Sequence, residues 1–369
     1  MPEAEHDVHA ETKMTVHERD VEALAEPIAG WLETVLPNAG AVTISDLHAP
    51  QGAGMSSVTL LFDANSQPLV ARLPPEDTSF PVFPSYDIVQ QFEVMALVAE
   101  HSDVPVPTIV GVETTGDIVG APFGVMRAVA GRTPTDNPPY VFGGWLMDAT
   151  PEERRTLQDG TVAALAGIHG IADASKVFSS LAPEGEPLRA HVDALRAYYE
   201  WTRATDGLRI PIIEETFDWL EASWPADPGE GVLSWGDARP GNIIFDEFTP
   251  AAVIDWEMAA IAPREVDLAW VVFLHCFFQD IANVFEMPGI PDFSRREDVV
   301  AKYEELSGHT VRDFDWYIVY AALRHAVVMS QVKRRMIHFG EEEQPEDLDG
   351  FVMHAALLKR LLEGTYTWA

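Results

Sequence analysis

An α+β chain in two lobes is what three features of this 369-residue sequence predict: a small antiparallel sheet with a helix, then a larger and mainly helical lobe. Short β-type runs bounded by Gly and Pro crowd the first third, and long segments of helical apolar period fill the remainder. Between them lies a stretch rich in Gly, Pro and Asn, Gly131 to Gly144, which reads as irregular. The lobe boundary is expected at Arg127 to Gly131, which divides the chain into 1–127 and 128–369. A hydrophobic fraction of 47% with 22% charged residues supplies enough apolar surface for a core of this size.

The elements follow in order. From Val21 to Val35, Leu24, Ile28, Trp31 and Leu32 recur at helical spacing, and Pro37 closes the segment. Ala41 to Leu47, Val58 to Phe62 and Leu69 to Leu73 read as strands, the last ended by Pro74 and Pro75. Asp87 to Glu100 places Ile88, Phe92, Met95, Ala96 and Ala99 on one helical face, with Asp87 as N-cap. Thr108 to Glu113 and Phe123 to Ala128 are two further strands. Beyond the boundary, Pro151 to Ile171, Leu188 to Trp201, Ile212 to Trp224, Val266 to Phe278, Asp298 to Leu306, Asp313 to Met336 and Phe351 to Glu363 are helical by period.

Composition removes several classes of function. A net charge of -35, from 24 basic and 59 acidic side chains, repels polyanions, so nucleic acid is not an expected partner. The same field favours a neutral or cationic small molecule. One cysteine, Cys276, excludes an intramolecular disulfide framework and, among apolar neighbours, reads as an inert thiol. The N-terminus has no apolar signal segment, and the longest apolar run, Leu268 to Phe278, is too short for a bilayer; a soluble, cytoplasmic protein without membrane contact is expected. No fixed-period repeat, zinc-spaced His/Cys cluster, GxSxG elbow or Walker loop is present.

The chemistry concentrates in Val232 to Glu257, VLSWGDARPGNIIFDEFTPAAVIDWE. Two short apolar strands, Ile243 to Phe245 and Ala252 to Ile254, flank a turn and carry polar residues at their ends. Asp237 precedes Asn242 by five positions and Asp255 directly follows the second strand, so a loop and a hairpin can gather three oxygen-bearing side chains. Phosphoryl transfer requires such a set: one carboxylate to orient an attacking hydroxyl, and hard oxygen ligands to hold magnesium against phosphates. Asp237 suits the first task; Asn242 and Asp255 suit the second.

On Gly236, Asp237, Asn242, Ile254, Asp255, Trp256 and Glu257 the chain resembles the aminoglycoside phosphotransferase and choline kinase-like family, from about Ile44 to about Gly340. The resemblance implies a protein kinase-like fold. It also implies transfer of phosphate from ATP or GTP, with magnesium, to the hydroxyl of a small molecule such as an aminoglycoside-like antibiotic or another metabolite. In that family His usually stands where this chain has Trp235, and Asp267 of VDLAW is implied to be a cap or loop anchor. His169 is read as a core or capping residue.

The resemblance orders the first lobe too. Gly52 and Gly54 would lie in the loop over the phosphates, where Ser56 and Ser57 would offer donors. Arg72 takes the place of a strand lysine that contacts phosphates and pairs with a helix glutamate; Gln91 stands at the glutamate position and Glu93 is the nearest carboxylate. The run GVMRAV resembles the hinge strand, so Met126, Arg127 and Val129 would border the base, with Met126 lining either that pocket or the core. The FPVFPSYD insert and the ARPGN loop look like the acyl-CoA-dehydrogenase-associated and actinobacterial branch. The altered Arg72, Gln91 and Trp235 leave an alternative, a catalytically weak nucleotide-binding protein with a regulatory role.

Overall fold

The computed structural model describes residues 20–36, 40–50, 57–76 and 79–367. The first lobe runs as α1 (Ala25–Val35), β1 (Ile44–His48), β2 (Val58–Ala64), β3 (Gln67–Leu73), α2 (Ile88–His101), β4 (Ile109–Glu113) and β5 (Phe123–Arg127). Its five strands form one antiparallel sheet in the order β1-β2-β3-β5-β4.

Alternation along the strands gives the sheet two apolar faces. Leu60, Phe62, Leu69, Ala71, Phe123 and Val125 pack with Ile28, Trp31 and Leu32 of α1, and Trp31 meets Phe123 edge-on at 4.8 Å. On the other face Phe92 of α2 lies over Gly124, where a Cβ would come within 2.4 Å of the ring, so the register depends on glycine there. Asp87 caps α2 as expected, accepting from the Gln90 N–H at 2.9 Å.

The second lobe contains α3 (Trp145–Asp148), α4 (Pro151–His169), α5 (Ala174–Val177), α6 (Pro187–Arg203), α7 (Pro211–Ala222), β6 (Val232–Ser234), β7 (Ile243–Asp246), β8 (Thr249–Val253), β9 (Ala260–Ala262), α8 (Glu265–Val284), α9 (Arg296–Ser307), α10 (Phe314–His338) and α11 (Ala355–Leu362). Thr150 and Glu153 form a reciprocal capping box at the start of α4. The α8 helix is apolar almost all round because it runs through the core, with α10 packed against it. Burial pushes the Cys276 thiol up to about 12, which accords with an inert role. Among the described residues no helix is long and apolar enough to cross a membrane.

Among the contacts at the junction of the lobes, two involve the hinge and an insert. After β5, Arg132 and Phe245 exchange backbone hydrogen bonds of 3.0 and 2.9 Å, and Gly131, at φ 145°, leaves no room for a side chain against the Phe245 carbonyl. The FPVFPSYD insert forms a strap: the Tyr198 hydroxyl donates to the Val82 carbonyl at 2.7 Å, Gln331 to Pro81 at 2.8 Å, and Arg335 to Phe80. The expected elements are present with ends shifted by a few residues. The expected helix from Phe351 to Glu363 is shorter, because a 3-10 turn, Leu348–Phe351, precedes α11. The three-residue strands β6 and β9 are too short to show a period in sequence.

Candidate active site

Pairing between β6 and β9 matches Ser234 with Ala260 and brings the chain to Gly236 and Asp237 beneath the cleft between the lobes. Gly236 is obligatory: its φ is +91°, and a Cβ would lie 2.0 Å from the Met258 carbonyl oxygen. A 3-10 turn, Pro240–Asn242, then reverses the chain into β7. The β7–β8 hairpin pairs Ile243 with Val253, and the Ile254 N–H donates to the Asn242 carbonyl at 3.0 Å. That register sets Asn242 beside the residue preceding Asp255.

Asp237 is held from three sides. Its Oδ2 accepts from Asn242 Nδ2 at 2.7 Å and Arg239 Nε at 2.9 Å, and its Oδ1 accepts from Trp270 Nε1 at 2.8 Å. Burial, and after it the neighbouring Asp255 carboxylate, push the Asp237 carboxyl up to about 6, while hydrogen bonds from Trp270 and Asn242 pull the other way. A carboxylate fixed in this orientation and ionised at neutral pH is equipped to accept a proton from a hydroxyl.

Asp255 stands at φ 64°, a left-handed conformation that Asp tolerates better than most residues. The indole of Trp235, fully buried, holds it there by donating to the carbonyls of Ile254 and Asp255 at 3.0 and 3.1 Å. The residue that departs from the family pattern therefore supports the Asp255 loop through its indole. Behind it, Asp267 is the anchor anticipated from sequence: it accepts from Ser234 Oγ at 2.7 Å, Trp235 N at 2.7 Å and Gly236 N at 2.9 Å, and contacts His169 Nε2 at 3.0 Å. Burial alone would raise the Asp267 pKa, but His169, Ser234 and the Gly236 amide lower it below the usual carboxylate range.

Arg72 reaches this site from β3. Its guanidinium lies 3.4 Å from Asp255 Oδ1 and donates through Nε to Ser57 Oγ at 3.1 Å, with Nη2 also bonded to that hydroxyl. Among the described residues no hydrogen bond or ion pair joins Arg72 to Gln91 or Glu93. Gln91 is buried on α2, and the exposed Glu93 accepts from Ser180 Oγ at 3.2 Å. Ser57, one of the two expected loop donors, instead accepts from Arg72 and orients it where a helix carboxylate was expected. Gly52, Gly54 and Ser56 lie outside the described residues.

At the hinge, Met126 is buried with 8% exposure and pairs with Val70 of β3, Arg127 points outward and donates to Gln67 Oε1 at 3.0 Å, and Val129 is half-buried. Sequence reasoning did not single out Arg239 or Trp270. Arg239 lies within a turn-forming string and Trp270 within an apolar helical run, where each looks ordinary. Arg239 also pairs with Asp136.

The donor set suits magnesium. Asn242 spends its N–H groups on Asp237, which leaves its amide oxygen as a ligand, and Asp255 supplies a carboxylate oxygen whose described protein partner is the long contact to Arg72. Among the described residues no group of three or more His, Cys, Asp or Glu side chains could hold a metal unaided, so the phosphates would have to complete such a site.

Known proteins share this fold. The solved structure of a putative aminoglycoside phosphotransferase from Ralstonia eutropha JMP134 superposes with a TM-score of 0.68 at 20% identity, over 92% of this chain and 97% of that one. A thermostable mutant of aminoglycoside phosphotransferase APH(4)-Ia, in a ternary complex with ADP and hygromycin B, gives 0.57 at 14% identity over 94% and 100%. In sequence, the chain is 24% identical over 303 residues to the probable acyl-CoA dehydrogenase IBR3 of Arabidopsis thaliana, covering 78% of this chain and 36% of that protein. It is 30% identical over 223 residues to human acyl-CoA dehydrogenase family member 11, covering 59% and 26%. It spans about a third or less of the length of these curated relatives. The model of the phosphotransferase enzyme family matches residues 49–291, a span that includes Arg72, Asp237, Asn242 and Asp255. The chain belongs to the phosphotransferase enzyme family.

Proposed function

We propose that the protein transfers the terminal phosphate of ATP or GTP, bound with magnesium, to a hydroxyl of a small molecule. Residues 1–127 would hold the nucleotide, and residues 128–369 would carry the catalytic loop and the acceptor. The observation that carries this reading is the Asp237 carboxylate, fixed by Asn242, Arg239 and Trp270 next to the Asn242 and Asp255 oxygens. Neighbours whose structures contain ADP or AMP-PNP with hygromycin B support a nucleotide donor and a small acceptor.

In this reading Asp237 orients the acceptor hydroxyl and takes its proton as the new P–O bond forms and the bond from the terminal phosphorus to the bridging oxygen breaks, releasing the nucleoside diphosphate. Asn242 and Asp255 hold magnesium, which supplies charge neutralisation across the phosphate oxygens. Arg72, turned by Ser57, exchanges its contact with Asp255 for a phosphate oxygen when nucleotide arrives. Ser56 would offer a donor to the phosphates, while Met126, Arg127 and Val129 would border the base. Gln91 and Glu93 act at most through α2. A cytoplasmic location suits consumption of nucleotide.

The Arg72–Asp255 pair also favours a second reading, in which an internal cation occupies the metal side and the fold binds nucleotide for regulation. A transfer screen separates the two. ATP and GTP with magnesium are offered aminoglycosides, sugars, choline-like amines and hydroxyacyl thioesters as acceptors, and phosphorylated product is measured. Product that depends on magnesium and Asp237 is expected. Nucleotide binding that is indifferent to chelator, with no product in any class, would leave the regulatory reading.

A further inference from the structure

We propose that Arg324 is a positioning residue for Asp237, acting through Trp270 and the Gly236 carbonyl. It sits on α10, beyond the 49–291 span that matches the family model, and only 3% of it is exposed. Its Nη2 donates to the Gly236 carbonyl at 2.9 Å, and its guanidinium carbon stands 4.5 Å from the centre of the Trp270 ring. Trp270 in turn donates to Asp237 Oδ1 at 2.8 Å. One cation thus braces the peptide before Asp237 and the ring that fixes one of its carboxylate oxygens.

Stability alone is a poor reason for this arrangement. A buried guanidinium is costly unless its hydrogen bonds are met, and Arg324 Nη1 has no hydrogen-bond partner among the described residues. Asp267 and Asp237 attract the cation, and the Tyr320 hydroxyl and His191 also face it, yet no direct ion pair to Arg324 is formed among the described residues. Replacing a complete buried ion pair by apolar side chains is often neutral or stabilising, whereas removing Arg324 alone leaves the Gly236 carbonyl without this donor and the Asp237 and Asp267 carboxylates without this cation. The proposal therefore expects Arg324→Met to fold with reduced stability and to loosen the catalytic loop more than the rest of the core. It rests on Asp237 being the acid–base group.

The test uses the full chain with two readouts. The first is hydrogen exchange at the Trp270 indole N–H, identified by the signal that Trp270→Phe removes. The second is magnesium–ATP hydrolysis, with water in place of an acceptor. In Arg324→Met the Trp270 signal should exchange at least tenfold faster while the indole of Trp235 is unchanged, and turnover should fall roughly 10- to 100-fold at an unchanged KM for ATP. Arg324→Lys, which keeps the charge and a donor but not the planar stack, should lie between. Trp270 exchange as in the parent overturns the proposal, as does equal acceleration at every indole, which is the mark of general destabilisation. Asp237→Asn is the separate control. If it hydrolyses ATP like the parent, the reading of Asp237 fails, whereas the exchange measurement still decides whether Arg324 holds Trp270.

Discussion

Asp237 is the residue on which the chemistry turns, and its three donors make its replacement informative. Asp237→Asn keeps the shape but cannot take a proton, so acceptor phosphorylation should fall about 10²- to 10⁴-fold with nucleotide affinity nearly unchanged. Turnover within twofold of the parent would remove Asp237 from the mechanism. Asp255→Ala has a different signature, seen in thermal melts with nucleotide. A ligand that binds only the folded state stabilises it by about 2.7 kcal/mol at a hundredfold excess over Kd, and the part of that rise that needs magnesium should vanish in the variant. An equal rise with chelator would show that Asp255 holds no metal. These residues were legible because few side chains suit phosphate and magnesium, and because their spacing lies within one loop and one hairpin. Trp270, Arg239 and Arg324 were not, nor was the contact of Ser57 with Arg72, since each acquires its role from a partner that folding brings near, and a lone Arg in the apolar run YAALRHAV looks like an accident until its neighbours are known. That charge on a buried helical face was the one available signal.

At the scale of elements, the support behind the site has been rebuilt around an indole. Trp235 donates to two carbonyls that set the backbone of Asp255, and its N–H lies in the interior. Trp235→Phe keeps the ring but leaves both carbonyls without that donor, at a cost of about 1–3 kcal/mol. Because one of them belongs to Asp255, the variant should also require more magnesium for half-maximal turnover; an unchanged magnesium requirement would confine Trp235 to packing. The sheet, α2 and the long helices were readable from period and caps, as with Asp87 of α2. The strands β6 and β9, which present Gly236, were not, because a strand of three residues exists only through its partner. The strap from Phe80 to Tyr86 was visible as an insert, but its attachment to Tyr198, Gln331 and Arg335 depends on helices more than a hundred residues away.

For the whole molecule, acid exposes a conflict between surface and interior. With a net charge of -35, lowering pH protonates surface carboxylates and relieves self-repulsion, which favours the compact state. The interior responds in the opposite sense. His275, 4% exposed, lies between the Tyr140 hydroxyl and the Ile290 carbonyl, and His354, 3% exposed, between His325 and the Ala322 carbonyl. Burial is the main cause that drops both pKa values to about 4, against 6.5 for a free imidazole. Between pH 6.5 and 4 the unfolded chain therefore takes up protons that the native rings refuse, so these rings remove stability as pH falls through that window and no more below it, while Asp237, raised to about 6, offsets part of the loss by binding a proton in the native state. Salt distinguishes the two responses, because at about 1 M the Debye length is near 3 Å and exposed charges are screened while buried rings are not. Urea unfolding at that salt should show stability declining from pH 7 to pH 4.5, and the double variant His275→Gln, His354→Gln should be less stable at pH 7 yet flatter over the same range. A double variant whose stability declines as steeply as the parent's would mean that the two rings take up protons in the native state, and that the interior is more accessible to water than their burial implies.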